Sequence, residues 1–296
     1  MSLNTVIKTT RPSFLILSPV CVLLGLSTAL ATGSAINLNL FYLIVAAAIL
    51  AHVSVNILNE YYDFKSGLDL KTSKTAFSGG SGALPENPGM AKTVLISGLV
   101  SLLLTIMTGL YLAIERGPQV LPVGIAGVVI IITYTQWLNR FPLLCLVAPG
   151  LGFGILMVVG THVILTGEYS LLAWLVSLIP FFLANNLLLL NQYPDIEADA
   201  SIGRNTFPIA FGLTKSNALY AIFSLATYSL ILFLIINAYL PRLSFIALVP
   251  MIFSLTAFLG ANKHKSEIGR FPRYMGANVM ATILTPLLLS ISIIYG

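Results

Sequence analysis

Residues 38–63 read LNLFYLIVAAAILAHVSVNILNEYYD, an apolar run that ends in a cluster of amide and carboxylate side chains. A spanning helix needs about 20 mostly apolar residues, because the hydrocarbon core is about 30 Å thick and a helix rises about 1.5 Å per residue. Residues 38–59 meet that need without one Asp, Glu, Lys or Arg. The pattern recurs along the chain, giving apolar segments at 13–33, 38–59, 92–114, 119–138, 142–165, 169–191, 214–238, 243–262 and 275–295. A membrane barrel would instead show short alternating strands, and backbone in lipid must satisfy its own hydrogen bonds, so each segment reads as helix. The expected fold is all-α: a polytopic membrane protein with nine transmembrane helices in a bundle. Two four-helix halves plus a ninth helix would form one domain over residues 1–296.

Composition agrees. Of 296 residues 57% are hydrophobic and 8% charged, against about 25% charged in soluble domains. So few charges cannot cover a soluble globule of this size. Lys8 and Arg11 precede a run ending in Ala29-Leu30-Ala31, which looks like a signal-peptidase site. The run from Ser13 to Gly33 is long enough to span and many spans follow, so it reads as a retained first helix. Cys21 and Cys145 sit in apolar runs without metal-ligand spacing and read as buried hydrophobes.

Charge gives orientation. With nine spans, thirteen Lys and Arg fall on one side, and only Arg116 and Arg242 on the other. The positive-inside rule then places the N-terminus and both long connections, about 60–91 and 192–213, in the cytoplasm, and the C-terminus outside. The net charge of +5 reads as attraction to anionic lipid and anionic substrate, with no nucleic-acid partner. A bacterial inner membrane, with the site facing the cytoplasm, is the expected location.

Six of the ten acids, and every Asp, fall in two windows: Glu60, Asp63 and Asp69, then Asp195, Glu197 and Asp199. His52, Asn56, Asn59 and Asp63 are spaced four, three and four residues apart, which makes one polar stripe on a helix. Asn191, Asp195 and Asp199 would share a face if the helix persists past Pro194. Polar stripes in membrane helices face the protein interior or a wet cavity, so the two faces can oppose each other across one pocket. Clustered carboxylates repel unless a cation or basic groups neutralise them. Magnesium takes hard oxygen ligands and bridges carboxylates to substrate phosphates; Lys65, Lys71, Lys74 and Arg204 would hold the remaining phosphate oxygens. Such a set binds a diphosphate and stabilises it as a leaving group.

Blander readings compete. A single acid beyond a membrane helix is usually a solvated interfacial residue, but two parallel N-x-x-x-D clusters on one side are a poor fit to accident. His52 alone reads as a packing histidine, and Tyr61 and Tyr62 as interface anchors or substrate contacts. Gly150-x-Gly152-x-Gly154 reads as close helix packing. A secondary transporter would also carry intramembrane acids and a two-half architecture, but it would place the acids near the midplane. A non-catalytic lipid-binding protein would have no need of the full Asp set.

At Asn59, Asp63 and Asp69, and at Asp195 and Asp199 with Asn191 ahead of them, the chain resembles the UbiA-type membrane prenyltransferase superfamily. Tyr61-Tyr62-Asp63-x-x-x-Gly67-x-Asp69, Thr10-Arg11-Pro12 and Asp199-x-x-x-Gly203-Arg204-x-Thr206 look most like its 1,4-dihydroxy-2-naphthoate polyprenyltransferase branch. Glu60 departs from the Asp common after the Asn, and Pro194 from an Arg. The resemblance implies catalytic roles for Asp63, Asp69, Asp195 and Asp199, and Mg²⁺ held through Asn59, Asp63, Asp195 and Asp199. It implies a polyprenyl diphosphate donor whose tail lies in an apolar tunnel open to lipid, and an aromatic acceptor. The candidate diphosphate contacts are Lys74, Arg140 and Arg204; the candidate acceptor contacts are Arg11 and Asn56. Acceptor identity stays open between the naphthoate and alternatives such as 4-hydroxybenzoate or homogentisate.

Overall fold

The computed structural model describes residues 2–72 and 74–296. Among the described residues every regular element is helical. In chain order the α-helices are α1 (Ser2–Thr9), α2 (Leu17–Ala31), α3 (Leu38–Lys65), α4 (Ala83–Glu86), α5 (Ala91–Arg116), α6 (Leu121–Tyr134) and α7 (Pro142–Gly150). They continue with α8 (Gly160–Thr166), α9 (Leu171–Asn191), α10 (Ile196–Ser201), α11 (Phe207–Ile236), α12 (Met251–His264) and α13 (Pro272–Tyr295).

Eight helical stretches among the described residues are long and apolar enough to cross a membrane. The fourth apolar segment, expected over 119–138, makes only the shorter stretch Pro118–Tyr134. After Tyr134 the chain leaves the helix through a turn at 135–137 and a 3-10 turn, Leu138–Arg140, and Phe141, ahead of Pro142, is extended at φ −116°, ψ 105°, as the residue before a proline tends to be.

The burial pattern is that of a protein dissolved in lipid. Leu103, Ile114, Leu225 and Ile252 are exposed on the outer surface. Inside lie polar residues that neighbouring helices satisfy. Asn186 Nδ2 donates to Tyr220 O at 3.0 Å, Tyr220 OH donates to Asn278 Oδ1 at 2.8 Å, and Asn278 Nδ2 returns to Asn186 O at 3.1 Å. This triangle joins α9, α11 and α13 by interhelical hydrogen bonds of the kind that hold membrane bundles together.

Three local features shape the interior. Pro149 interrupts the donor ladder of the stretch Pro142–Thr166, and the chain passes from α7 into a π-helix, Leu151–Val159, before α8. Asn185 Oδ1 takes the Gly150 N–H at 2.6 Å where the change begins, the kind of side-chain rescue that irregular backbone in a membrane requires. Gly150 and Gly154 pack as the sequence suggested: a Cβ on Gly150 would run into Phe181 O, and one on Gly154 would meet Phe181 N at 2.5 Å. Gly152 does not, since nothing lies within 4 Å of its Cβ position.

Candidate active site

Helix α3 runs unbroken to Lys65, so Glu60 and Asp63 belong to its last turns. The condition set on the second acidic cluster, a helix that persists past Pro194, is not met. α9 stops at Asn191, residues 192–195 form a turn, and α10 begins at Ile196 with Asp195 as its N-cap. Pro194 has no N–H to continue the ladder. It packs instead in the turn, where a Cβ on Gly269 would meet its Cγ at 2.9 Å. Asp195 and Asp199 remain one turn apart, joined by Asp199 N–H to Asp195 O at 2.8 Å.

Both clusters open on one cavity of about 380 Å³. Its polar end is lined by Asn59, Asp63, Asp69, Asp195, Asp199 and Arg204, and the stripe expected on α3 (His52, Asn56, Asn59, Asp63) is one wall. His52 Nδ1 pairs with Ser18 Oγ at 2.8 Å and its ring meets Phe153 edge-on. Away from the acids the wall turns apolar, through Ala51, Ile131, Leu156 and Ile164.

The acids divide into two kinds. Asp63 and Asp199 both bind Arg204, Asp199 Oδ1 accepting from Nη1 at 2.9 Å and Asp63 Oδ1 from Nη2. Asn59 Nδ2 donates to the other Asp63 oxygen at 2.8 Å, and Asn59 Oδ1 accepts from Thr135. Asp69 Oδ2 and Asp195 Oδ1, in contrast, are buried oxygens with no hydrogen-bond partner. Burial pushes the Asp69 carboxyl up to about 7, helped by the charges of Glu60 and Asp63. Burial likewise pushes Asp195 up to about 7, helped by Asp199. Asp199 is raised by burial while Arg204 pulls it back.

The glycine-rich loop connects the two orphaned acids. Gly79 N–H donates to Asp195 Oδ2 at 3.2 Å, and a Cβ on Gly80 would meet Asp69 Oδ1 at 2.9 Å. Gly80 also has φ +72°, a left-handed conformation that glycine adopts without strain. Glu60 anchors this loop. Fully buried, it accepts from Ser81 N at 2.7 Å, Ser81 Oγ at 2.6 Å and Arg11 Nε at 2.8 Å. Arg11 itself has φ 51°, a conformation unusual for a side-chain-bearing residue and held here by its ion pair.

The other expected contacts divide. Arg204 and Arg11 reach the cavity wall. Arg11 commits Nε and Nη2 to Glu60, and Asn56 commits its amide to Thr10 O at 2.8 Å. Lys74 donates to the Ser81 carbonyl and does not line the cavity. Arg140 lines a separate, smaller pocket together with Lys65, which shares Asp63, Thr135, Asn139 and Arg204 with the main cavity. Lys71 ties the first long connection to the second through Ser201 Oγ at 3.2 Å. Sequence reasoning missed Gln192 and Thr206, whose Oε1 and Oγ1 are buried without partners at the same cavity. It also missed the anchoring work of Glu60, for which the Gly79-Gly80-Ser81-Gly82 run was the available signal.

A cation can be tested against this donor set. Among the described residues no three acidic, His or Cys groups converge as a ready metal cluster, because Arg204 stands between Asp63 and Asp199. The two orphaned oxygens of Asp69 and Asp195 are hard donors of the kind Mg²⁺ takes. Buried polar atoms without partners are rare in finished interiors. The polar end therefore fits a bound cation and a polar ligand.

An all-helical bundle whose outer surface is apolar, around a cavity with one acid-lined end and apolar walls, defines an integral membrane protein. Residues 18–278 match the UbiA prenyltransferase family, and the chain belongs to that family. It is 32% identical over 210 residues to 1,4-dihydroxy-2-naphthoate octaprenyltransferase of Bacillus subtilis (strain 168), covering 69% of this chain and 64% of that one. The match thus spans just under two thirds of the Bacillus protein. It is 28% identical over 242 residues to UbiA prenyltransferase domain-containing protein 1 of Danio rerio, covering 79% and 69%. Among solved structures, a digeranylgeranylglyceryl phosphate synthase superposes with a TM-score of 0.68 at 15% identity, covering 99% of each chain. A UbiA homolog from Archaeoglobus fulgidus bound to DMAPP and Mg²⁺ gives 0.66 at 15% identity, covering 98% and 99%. At that identity the likeness shows the fold.

Proposed function

We propose that the protein is a divalent-cation-dependent prenyltransferase that moves a polyprenyl group from an allylic diphosphate to a hydroxylated aromatic acceptor, 1,4-dihydroxy-2-naphthoate first among the candidates. The observation that carries this reading is the pair of acid clusters, with orphaned oxygens on Asp69 and Asp195, at the polar end of one apolar cavity. The Bacillus relative's name supports the acceptor class, and the Archaeoglobus structure's ligands support a prenyl diphosphate with Mg²⁺.

Asp69 and Asp195, with Asn59, Asp63 and Asp199, would hold the cation, which when bound supplies positive charge to the leaving diphosphate. Arg204 offers its guanidinium to phosphate oxygens once its carboxylates turn to the cation, since bidentate contacts suit phosphate as well as carboxylate. The allylic C–O bond breaks and its electron pair leaves with the diphosphate. A ring carbon of the acceptor donates the pair that makes the new C–C bond, and the substituent held at that carbon departs as a proton, or as carbon dioxide where it is a carboxylate, its bonding pair returning to the ring. The apolar wall keeps water from the allylic cation. Arg11, at the cavity wall, would meet the acceptor's acid group.

Nine spans, with α6 as the short fourth, would put the N-terminus and both acidic windows in the cytoplasm and the C-terminus outside, in a bacterial inner membrane, with residues 1–296 acting as one unit. The deciding assay supplies membranes containing the protein with Mg²⁺, mixed prenyl diphosphates and an acceptor panel, and identifies products by mass spectrometry. Prenylated naphthoate is expected; no prenylated product from any acceptor overturns the reading.

A further inference from the structure

Glycines in membrane helices ordinarily let another helix approach, and several here do so. A Cβ on Gly25 would meet Thr161 Cβ at 2.6 Å, and one on Gly160 would meet Val123 Cγ1 at 2.8 Å. Gly127 and Gly152 behave differently. Nothing lies within 4 Å of a Cβ on Gly152, and only Leu156 Cδ1, at 3.9 Å, approaches one on Gly127. Both glycines line the cavity, as does Leu156. Glycine is the poorest helix former after proline, and close packing does not account for these two.

Their depth gives them a role. Thr135 on the α6 side and Cys145 on the α7 side mark the polar end, through contacts with Asn59 at 3.2 Å and Gln192 at 3.5 Å. Gly127 and Gly152 lie eight and seven residues further along their helices, so about 10–12 Å deeper at the helical rise. The cavity continues past them to Ile44, Leu112 and Ile164. From Asp63 to Ile44 along α3 the depth is about 28 Å at the same rise. An extended isoprene unit advances four carbon–carbon bonds, roughly 5 Å from bonds of about 1.5 Å. The chamber therefore has length for about five or six units, and the two glycines flank it after about two.

We propose that Gly127 and Gly152 are specificity-determining positions: by leaving the chamber open at mid-depth, they admit the distal part of a prenyl chain longer than about two isoprene units. This rests on the prenyltransferase reading. A leucine at either position fills the passage and leaves the space above it for a short chain only.

The test compares wild type, Gly127→Leu, Gly152→Leu and Gly124→Leu with geranyl, geranylgeranyl and octaprenyl diphosphates and one aromatic acceptor. Gly124 is the control, since it is exposed, has nothing within 4 Å of its Cβ position and does not line the cavity. Expected is a shift of the geranyl-to-octaprenyl turnover ratio toward geranyl by about tenfold or more in the two cavity variants, the scale on which a filled apolar pocket discriminates, and no shift in Gly124→Leu. Turnover with geranyl diphosphate reports that each variant is folded. If either leucine variant fails to fold, Gly127→Ala and Gly152→Ala must show a smaller shift in the same direction. A wild-type length profile in the folded variants, or equal loss at every length, overturns the inference. Wild type inactive with every diphosphate overturns the parent reading and this one with it.

Discussion

Arg204 and Asp63, 141 positions apart in the chain, form an ion pair that also recruits Asp199. The arrangement brings two acids into a buried place with one cation between them, where an unpaired charge would be costly. It also explains why Asp69 and Asp195 differ from them: Arg204 does not reach those two, and their oxygens stay orphaned.

The acids should therefore separate by phenotype. Asp195→Asn removes a cation donor without removing an ion pair, so turnover should fall by about 10²–10³, the scale of losing one charge-stabilising group, with little change in thermal stability. Asp63→Asn should lose turnover similarly and also lower the melting temperature, because Arg204 then keeps only Asp199. Steady-state kinetics and thermal unfolding in detergent measure both; full activity in either variant, or in excess chelator, sinks the cation mechanism.

Glu60 should act through what it holds. Glu60→Gln keeps the shape and removes the charge that Arg11 pairs with, and breaking a buried pair costs about 3–5 kcal/mol, so the melting temperature should drop clearly. The Ser81 contacts partly survive in the amide, and the acceptor KM should rise more than the diphosphate KM, because Arg11 is the part that loosens. Equal changes in both constants would place Glu60 in the scaffold alone.

How far the sequence carried these arguments depends on the kind of signal each residue left. Spans and acid windows were legible because both are periodic. The early end of α6 at Tyr134 left no breaker residue at the point where it falls, and the break after Asn191 was legible only as a condition on Pro194. The Glu60–Arg11–Ser81 junction joins positions 49 and 21 residues apart, and no period links them. Lys74 and Arg140 are basic residues beside an acid cluster by sequence, yet which side of a loop each faces is a matter of tertiary packing. Gly152 sits in a small-residue motif whose other two members pack, so the pattern itself suggested the wrong role for it.

The orphaned acids set a pH dependence. Asp69 and Asp195, each near 7 in the folded protein against about 3.9 unfolded, hold protons that the unfolded chain has released. Their contribution to the stability of the metal-free protein thus falls as pH rises from about 4 to about 7 and then levels. A cation binds the ionised carboxylates, so the thermal shift produced by Mg²⁺ should grow over the same window and level above pH 7. Asp69→Asn/Asp195→Asn should abolish that growth. A Mg²⁺ shift independent of pH would falsify the assignment of these two acids as donors.

Cysteine labelling tests the orientation. Labels introduced at 64–72 and 200–212 should react only from the cytoplasmic side, and one at Gly296 only from outside, as the distribution of Lys and Arg predicts. A C-terminus inside would mean that Pro118–Tyr134 does not cross.

The acceptor is the last matter, and Arg11 decides it. Glu60 uses Nε and Nη2 of Arg11, the residue lines the cavity, and the pair fixes the guanidinium in place. An aromatic acid with ring hydroxyls suits this position: the hydroxyls enrich the ring for attack on an allylic cation, and the acid group meets Arg11. With one prenyl diphosphate, 1,4-dihydroxy-2-naphthoate should be prenylated faster than 4-hydroxybenzoate or homogentisate. Arg11→Ala should raise the naphthoate KM by about tenfold or more, the loss of a charge-assisted hydrogen bond of roughly 1.5–3 kcal/mol, while the diphosphate KM changes less. A preference for another acceptor refutes the naphthoate assignment and leaves prenyl transfer standing. An unchanged acceptor KM in Arg11→Ala removes Arg11 from the acceptor site and restricts it to the Glu60 junction.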